Sequence, residues 1–270
     1  MRFAIIIPAR FASTRYPGKP LAMLCGVNGA EKPLVQRSWE CAREIAGAAG
    51  VWVATDDQRI ADVVRGFGGQ VVMTSPDCRN GTERCADAVS KLGAKLGESF
   101  DAVVNLQGDA PLTPTHVVGA LVEALAADPA AAMTTVAVRC SPTTYAHLVG
   151  DQAAGRVGGT TVVTTTDGRA LYFSKRVIPY VSPLQPGFDA DAVRLHLGLY
   201  AYRPEALAAY AQTLPSPLED LEGLEQLRFL EAGQPVRVVT FDPVGWDCIE
   251  LNNPEDITAI ERVLLQRGID

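Results

Sequence analysis

The chain has 270 residues, of which 47% are hydrophobic and 20% charged; 24 Lys plus Arg against 31 Asp plus Glu give a net charge of −7. This length and apolar share fit one α/β domain with a sizeable core and exclude a disordered chain. The acidic balance argues against sequence-blind duplex binding, which draws its affinity from cations on phosphates, and no apolar run approaches the ~20 residues of a bilayer span.

In chain order, the apolar run 3–7 ends at Pro8, as a buried parallel strand does. It is too short for a signal peptide, so a cytoplasmic protein is expected. Helical spacing follows over 34–48, a strand over 51–54, a helix over 60–67, a strand over 71–73 and a helix over 82–92. A strand over 102–106, a helix over 115–127 with Pro114 at its start, and a strand over 133–138 continue the alternation. Repeated β-α-β units predict a mostly parallel sheet with helices on both faces. The middle departs from this rhythm: 160–166 and 170–173 read as a hairpin across Asp167-Gly168. A strand over 195–202, one amphipathic helix over 217–233, a strand over 236–240 and a closing helix over 253–267 capped by Asn253 complete the chain. The expected organisation is a single domain over 1–270 with a smaller acceptor or dimerisation lobe at about 140–235.

Six cysteines at 25, 41, 78, 85, 140 and 248 form no C-x-x-C pair and match no zinc ribbon, so reduced thiols are expected. With histidine only at 116, 147 and 196, any metal should be held by oxygen ligands. His116 and His147 read as surface residues, and Trp39, Trp52 and Trp246 as core.

Three segments carry chemistry. The loop after the first strand brings Arg10, Arg15 and Lys19 together with Ser13 and Thr14. Such a loop lies at the carboxyl end of a strand, where open α/β sheets bind ligands, and its cations and backbone N–H groups suit a triphosphate. It is not a Walker A loop, whose glycine spacing is absent. A plain basic surface loop is the alternative, but three cations in ten residues of an acidic chain weigh against it. The second segment is the strand running into Gln107-Gly108-Asp109. Asp109 would stand at the ligand edge, where a carboxylate beside a phosphate cradle holds Mg²⁺; a turn aspartate is the bland reading. In the third, Asn80-Gly81-Thr82-Glu83-Arg84, a glycine turn opens a helix whose free N–H groups could meet an anion or a base edge.

Together these segments resemble the CMP-Kdo synthetase (3-deoxy-manno-octulosonate cytidylyltransferase) family over nearly the whole chain. The markers are IIPARFASTRYPGKPL at 6–21, VATDD at 53–57, NGTER at 80–84, VVNLQGDAPLTP at 103–114, ALYFSKRVIPY at 170–180, HLGLYAYR at 196–203, SPLEDLEGLEQLRFLEAG at 216–233 and NNPED at 252–256. The resemblance implies a Rossmann-like nucleotidyltransferase fold, CTP as substrate, Mg²⁺ as cofactor and a homodimer. It implies catalysis by Arg10, Arg15 and Lys19, with Pro8, Ala9, Ser13, Thr55, Gly81, Arg84, Gln107 and Asp109 also on the nucleotide. Gln107, His196, Tyr200, Glu222 and Gln226 would line the acceptor pocket, and Asp109 and Asn252 would hold the metal. The implied reaction is in-line attack of an acceptor oxygen on the α-phosphorus with release of pyrophosphate. No protein nucleophile is required, and no Ser/His/Asp or Cys/His set is evident.

The chain departs from the family pattern at four places. Ala110 stands where Glu is usual, Asn252 where a metal-binding Asp is usual, Thr161 where Lys is usual, and Gly158-Gly159 is uncommon. Glu250, two residues back, could share a strand face with Asn252 and substitute for it. Two lost acids make a more anionic acceptor easier to hold. This favours a small phosphonate such as phosphonoformate, with Kdo or a similar sugar acid as the alternative. A catalytically inactive CTP-binding regulatory protein is the reading from another class, opposed by the intact loop and Asp109.

Overall fold

The computed structural model describes residues 1–13, 16–96, 99–181, 192–243 and 250–270. Strand β1 (Phe3–Pro8) lies between two parallel neighbours, β4 (Ala48–Thr55) and β6 (Ala102–Leu106). A strand paired on both sides and covered on both faces must be apolar throughout, which explains the unbroken run. Its side chains alternate between two cores. Phe3, Ile5 and Ile7 join Val51, Val53, Val104 and Leu106 on one face. Ala4 and Ile6 join Trp52, Ala54 and Val103 on the other.

The first core is closed by α1 (Leu34–Arg43), α2 (Gln58–Gly66) and α4 (Thr115–Ala127), through Val35, Ile60 and Leu121. The second is closed by α3 (Gly81–Leu96), α6 (Pro204–Gln212) and α8 (Leu227–Glu231), through Cys85, Leu207 and Phe229. Three more strands of the main sheet are β5 (Gln70–Met73), β7 (Met133–Arg139) and β11 (Val236–Phe241). With β10 (Arg194–Tyr202) the order is β11-β7-β10-β6-β1-β4-β5. β10 runs antiparallel to both of its neighbours in this path, whereas the other adjacent pairs are parallel. The hairpin of β8 (Thr160–Thr164) and β9 (Ala170–Ser174) hangs from β10. The α/β class and mostly parallel sheet are as expected.

Two elements differ from expectation in ways that shape the site. The single helix predicted over 217–233 is two: α7 (Pro217–Glu222) and α8, separated where Gly223 adopts the left-handed conformation at φ 60°. A residue with a Cβ resists that conformation, so the glycine stops α7. Ser216 and Glu219 fix its other end in a reciprocal capping box. The closing helix α9 starts at Asp256 and ends at Arg267, not at Asn253. Asn253 does not cap it; instead the Asp256 carboxylate, in the first turn, accepts from the backbone N–H groups of Asn252 and Asn253 at 2.9 and 2.7 Å and ties the preceding segment to the helix. Residues 250–252 form no strand, so the shared strand face imagined for Glu250 and Asn252 does not exist. Sequence periodicity did not reveal the ribbon β2 (Met23–Cys25) with β3 (Glu31–Pro33), nor α5 (Pro142–Ala153), which buries only Leu148, nor α6.

Trp39 and Trp52 are buried and His116 and His147 exposed, as read from the sequence; Trp246 and Cys248 lie outside the described residues. Cys25, Cys41, Cys78, Cys85 and Cys140 are free thiols.

Candidate active site

A cavity of about 590 Å³ opens at the carboxyl ends of β1 and β6. Its floor is the loop after β1. Ala9 donates its N–H to Ala54 O at 2.9 Å, and Gly18 closes the loop by donating to Phe11 O at 2.9 Å. Gly18 needs its positive φ of 74°, and a Cβ there would meet the Phe11 ring at 3.0 Å. The turn delivers Lys19 to the start of a short 3-10 helix (Lys19–Leu21), from which its Nζ reaches Asp109 Oδ2 at 2.5 Å.

Asp109 arrives from the other side. After β6 the chain passes so close to β1 that a Cβ on Gly108 would lie 2.6 Å from Pro8 O. Only glycine allows that approach, and Ser38 Oγ holds the Gly108 carbonyl at 3.0 Å. The third arm is the 250–252 segment: Leu251 donates its N–H to Asp109 O at 2.9 Å, which brings Asn252 into the same wall.

The far wall comes from α3, β10 and the break between α7 and α8. Arg84 is buried, bonded to Thr74 Oγ1 at 2.6 Å and 3.1 Å from Asp56. Free N–H groups were expected at the start of α3. Instead, Thr82 donates to Glu225 Oε2 at 2.9 Å and Glu83 to Asn80 Oδ1 at 2.8 Å, so the protein itself occupies those donors. Burial pushes the Glu225 carboxyl up, partly offset by the Thr82 N–H. Tyr200 reaches Gln226 Oε1 at 3.4 Å, while Gln226 Nε2 is buried without a hydrogen-bond partner among the described residues. A buried amide donor beside an open cavity is a polar group waiting for a ligand.

Of the residues singled out from the sequence, Pro8, Ala9, Arg10, Ser13, Lys19, Gly81, Arg84, Gln107, Asp109, Tyr200, Gln226 and Asn252 line this one cavity. Arg15 lies outside the described residues. Three others do not line it. Thr55 is buried at the end of β4, where its Oγ1 accepts from Asp57 N at 3.2 Å. Glu222 faces β9, accepting from Ser174 Oγ at 2.8 Å and Lys175 N at 3.0 Å. His196 sits behind Tyr200, its Nε2 2.9 Å from Thr135 Oγ1 and its ring against Phe173. Its ring also packs against Tyr200, which does line the cavity.

Burial pushes the His196 imidazole down to about 3. Between its unfolded value of 6.5 and about 3, the unfolded chain binds a proton that the folded ring refuses. Stability is therefore lost as pH falls through this window, by about 1.4 kcal/mol per pH unit. His196→Gln keeps a partner for Thr135 and removes the titration. Urea unfolding at pH 7 and pH 5 should show a wild-type loss greater than the variant's by roughly 2 kcal/mol. Equal losses would mean that the ring is solvated.

Sequence reading missed Glu225 and Arg79, both in the cavity wall. The signal for Glu225 was a glycine inside an amphipathic run, at Gly223. Once the helix stops there, the next residues point inward instead of following the helical face.

A divalent cation fits the donor set. Asp109 and Asn252 offer hard oxygen atoms in one wall, with space in the cavity for water and phosphate oxygens. Among the described residues no three His, Cys, Asp or Glu side chains converge, so such an ion would share its shell with a substrate. No helix among those residues is long and apolar enough to cross a membrane.

A cytidylyltransferase family model matches residues 4–238. The chain is 45% identical over 268 residues to the 3-deoxy-manno-octulosonate cytidylyltransferase of Maricaulis maris (strain MCS10), with 99% of each covered. It is 38% identical over 266 residues to the mitochondrial enzyme of that name from Arabidopsis thaliana, covering 98% of this chain and 83% of the relative. Among solved structures it is similar to a CMP:2-keto-3-deoxy-manno-octonic acid synthetase complexed with CTP. The TM-score is 0.81 at 34% identity, with 99% of this chain and 100% of the other covered. A 4-diphosphocytidyl-2C-methyl-D-erythritol synthase from Anaerococcus prevotii shares the fold at a TM-score of 0.56 and 13% identity, with 97% and 98% covered.

Proposed function

The chain belongs to the 3-deoxy-manno-octulosonate cytidylyltransferase family and is a CTP-dependent nucleotidyltransferase, and on that premise we propose that its acceptor is Kdo, a 3-deoxy-2-keto sugar acid. The observation that carries this choice is the character of the acceptor wall. The lining residues from β10 and from 219–226 include Tyr200, Gln226, Glu219 and Glu225 and no Lys or Arg. Amides and a phenol suit a polyhydroxylated ring, whereas this wall offers no cation to a doubly charged phosphonate. The charge argument for a phosphonate counted the acids missing at 110 and 252. It did not count Glu225, which the break at Gly223 turns inward.

In this reading Arg10, Ser13 and Lys19 hold the triphosphate, and Arg84 stands on the base side, fixed by Thr74 and Asp56. Arg15, from the same loop, belongs with them. Gln107, Tyr200 and Gln226 orient the sugar acid so that its hydroxyl oxygen faces the α-phosphorus. The new P–O bond forms as the bond to pyrophosphate breaks, and the hydroxyl proton leaves to solvent. Asp109 and Asn252 would hold Mg²⁺, which when bound supplies positive charge for the phosphates. The chain's own work is positioning and charge neutralisation. A homodimer belongs to the same proposal, with the exposed Leu171, Tyr180 and Leu221 available to be covered.

Nucleotide choice tests the site directly. With Kdo as acceptor, kcat/KM for pyrophosphate release should be at least about 100-fold higher with CTP than with UTP or ATP, because a mispaired base edge leaves buried polar groups unmet. Comparable rates with UTP would contradict this reading.

A further inference from the structure

Behind the main cavity lies a second one of about 30 Å³ that shares the Gln107 wall and is bounded also by Ala110, Gly198 and Glu250. Ala110 carries only a methyl group and Gly198 no side chain. A Cβ at Gly198 would stand 3.7 Å from Glu250 Oε1 and 3.5 Å from Gln107 Cγ, ordinary contact distances, which places the Glu250 carboxylate and the Gln107 side chain on the same position of β10. The other oxygen, Oε2, accepts from Asn252 Nδ2 in a long contact of 3.5 Å. Asn252 lines the main cavity; Glu250 does not.

An amide has one donor end and one acceptor end. With Nδ2 turned to Glu250, Oδ1 is the end that can serve a cation. A carboxylate at the back of such a ligand fixes its orientation and increases the negative charge on its oxygen. We propose that Glu250 is a positioning residue for the divalent cation, acting through Asn252 and returning, from behind, the charge that an amide lacks. The inference rests on the metal reading given above. It also accounts for one departure from the family pattern: Glu250 compensates for Asn252.

The test uses Mn²⁺ as probe with the full chain and saturating CTP, without acceptor. Water-proton relaxation enhancement reports Mn²⁺ on the protein, and thermal unfolding of each variant is followed alongside. Glu250→Gln should weaken Mn²⁺ binding about 10- to 100-fold with an unchanged melting temperature. Adding Asn252→Asp to that variant should restore binding to within a few-fold of wild type, which a merely structural role for Glu250 would not predict. Wild-type Mn²⁺ affinity in Glu250→Gln, or no recovery in the double variant, would overturn the role of Glu250 alone. Absence of Mn²⁺ uptake by the wild-type complex would remove the metal reading and this inference together.

Discussion

Asp109→Asn is expected to lower kcat/KM for pyrophosphate release by about 10³-fold, or roughly 4 kcal/mol of transition-state stabilisation. Three pieces of chain meet at this residue. The loop after β6 presents it, Lys19 pairs with it at 2.5 Å, and the backbone N–H of Leu251 is bonded to its carbonyl. The substitution keeps the size of the side chain and removes its charge, so Lys19 loses its counterion and the proposed Mg²⁺ its one charged ligand from this wall. The side chain is 22% exposed, so folding should survive, which circular dichroism can establish. Activity within about tenfold of wild type would reduce Asp109 to a turn residue.

The second large effect concerns the wall that carries Glu225. Arg228 is 2% exposed and makes a bidentate pair with Glu219 at 2.6 and 2.7 Å, with Glu83 at 3.0 Å and the Tyr210 ring at 3.9 Å. Burial alone would lower the guanidinium, but the hydrogen bonds to Glu219 and Glu83 outweigh it and hold the group firmly protonated. Burial likewise opposes ionisation of Glu219, yet its bonds to Arg228 bring it below the usual carboxylate range. Arg228→Leu would strand Glu219 in the core, at a cost of about 3–5 kcal/mol in urea unfolding. Removing both charges, as Arg228→Met with Glu219→Leu, should cost less than the single change. A single variant as stable as wild type would mean that the pair is solvated.

How much of this was legible beforehand depended on whether a signal was local. The buried strands β1 and β6 read directly as apolar runs, and each is followed at once by the residues it delivers, Arg10 and Asp109. Lys19 was visible as a cation in the same loop, though not its partner 90 residues away. His196 and Glu222 were assigned to the acceptor pocket because they stand in matching segments. What the sequence could not show is what they bond: Thr135 meets the first, and Ser174 and Lys175 the second. Glu225 escaped notice because its direction depends on a helix stopping at Gly223, which periodicity averaged over 217–233 conceals. That omission also tilted the acceptor argument toward a phosphonate, since it left an acid of the cavity wall out of the charge count.

The account is tested most directly by incubating the enzyme with CTP and Mg²⁺, offering Kdo and phosphonoformate in separate reactions, and identifying the product by mass spectrometry with matched pyrophosphate release. It predicts a CMP–Kdo conjugate formed with one pyrophosphate per turnover, and no conjugate with phosphonoformate. Efficient formation of a CMP–phosphonoformate conjugate with none from Kdo would contradict it.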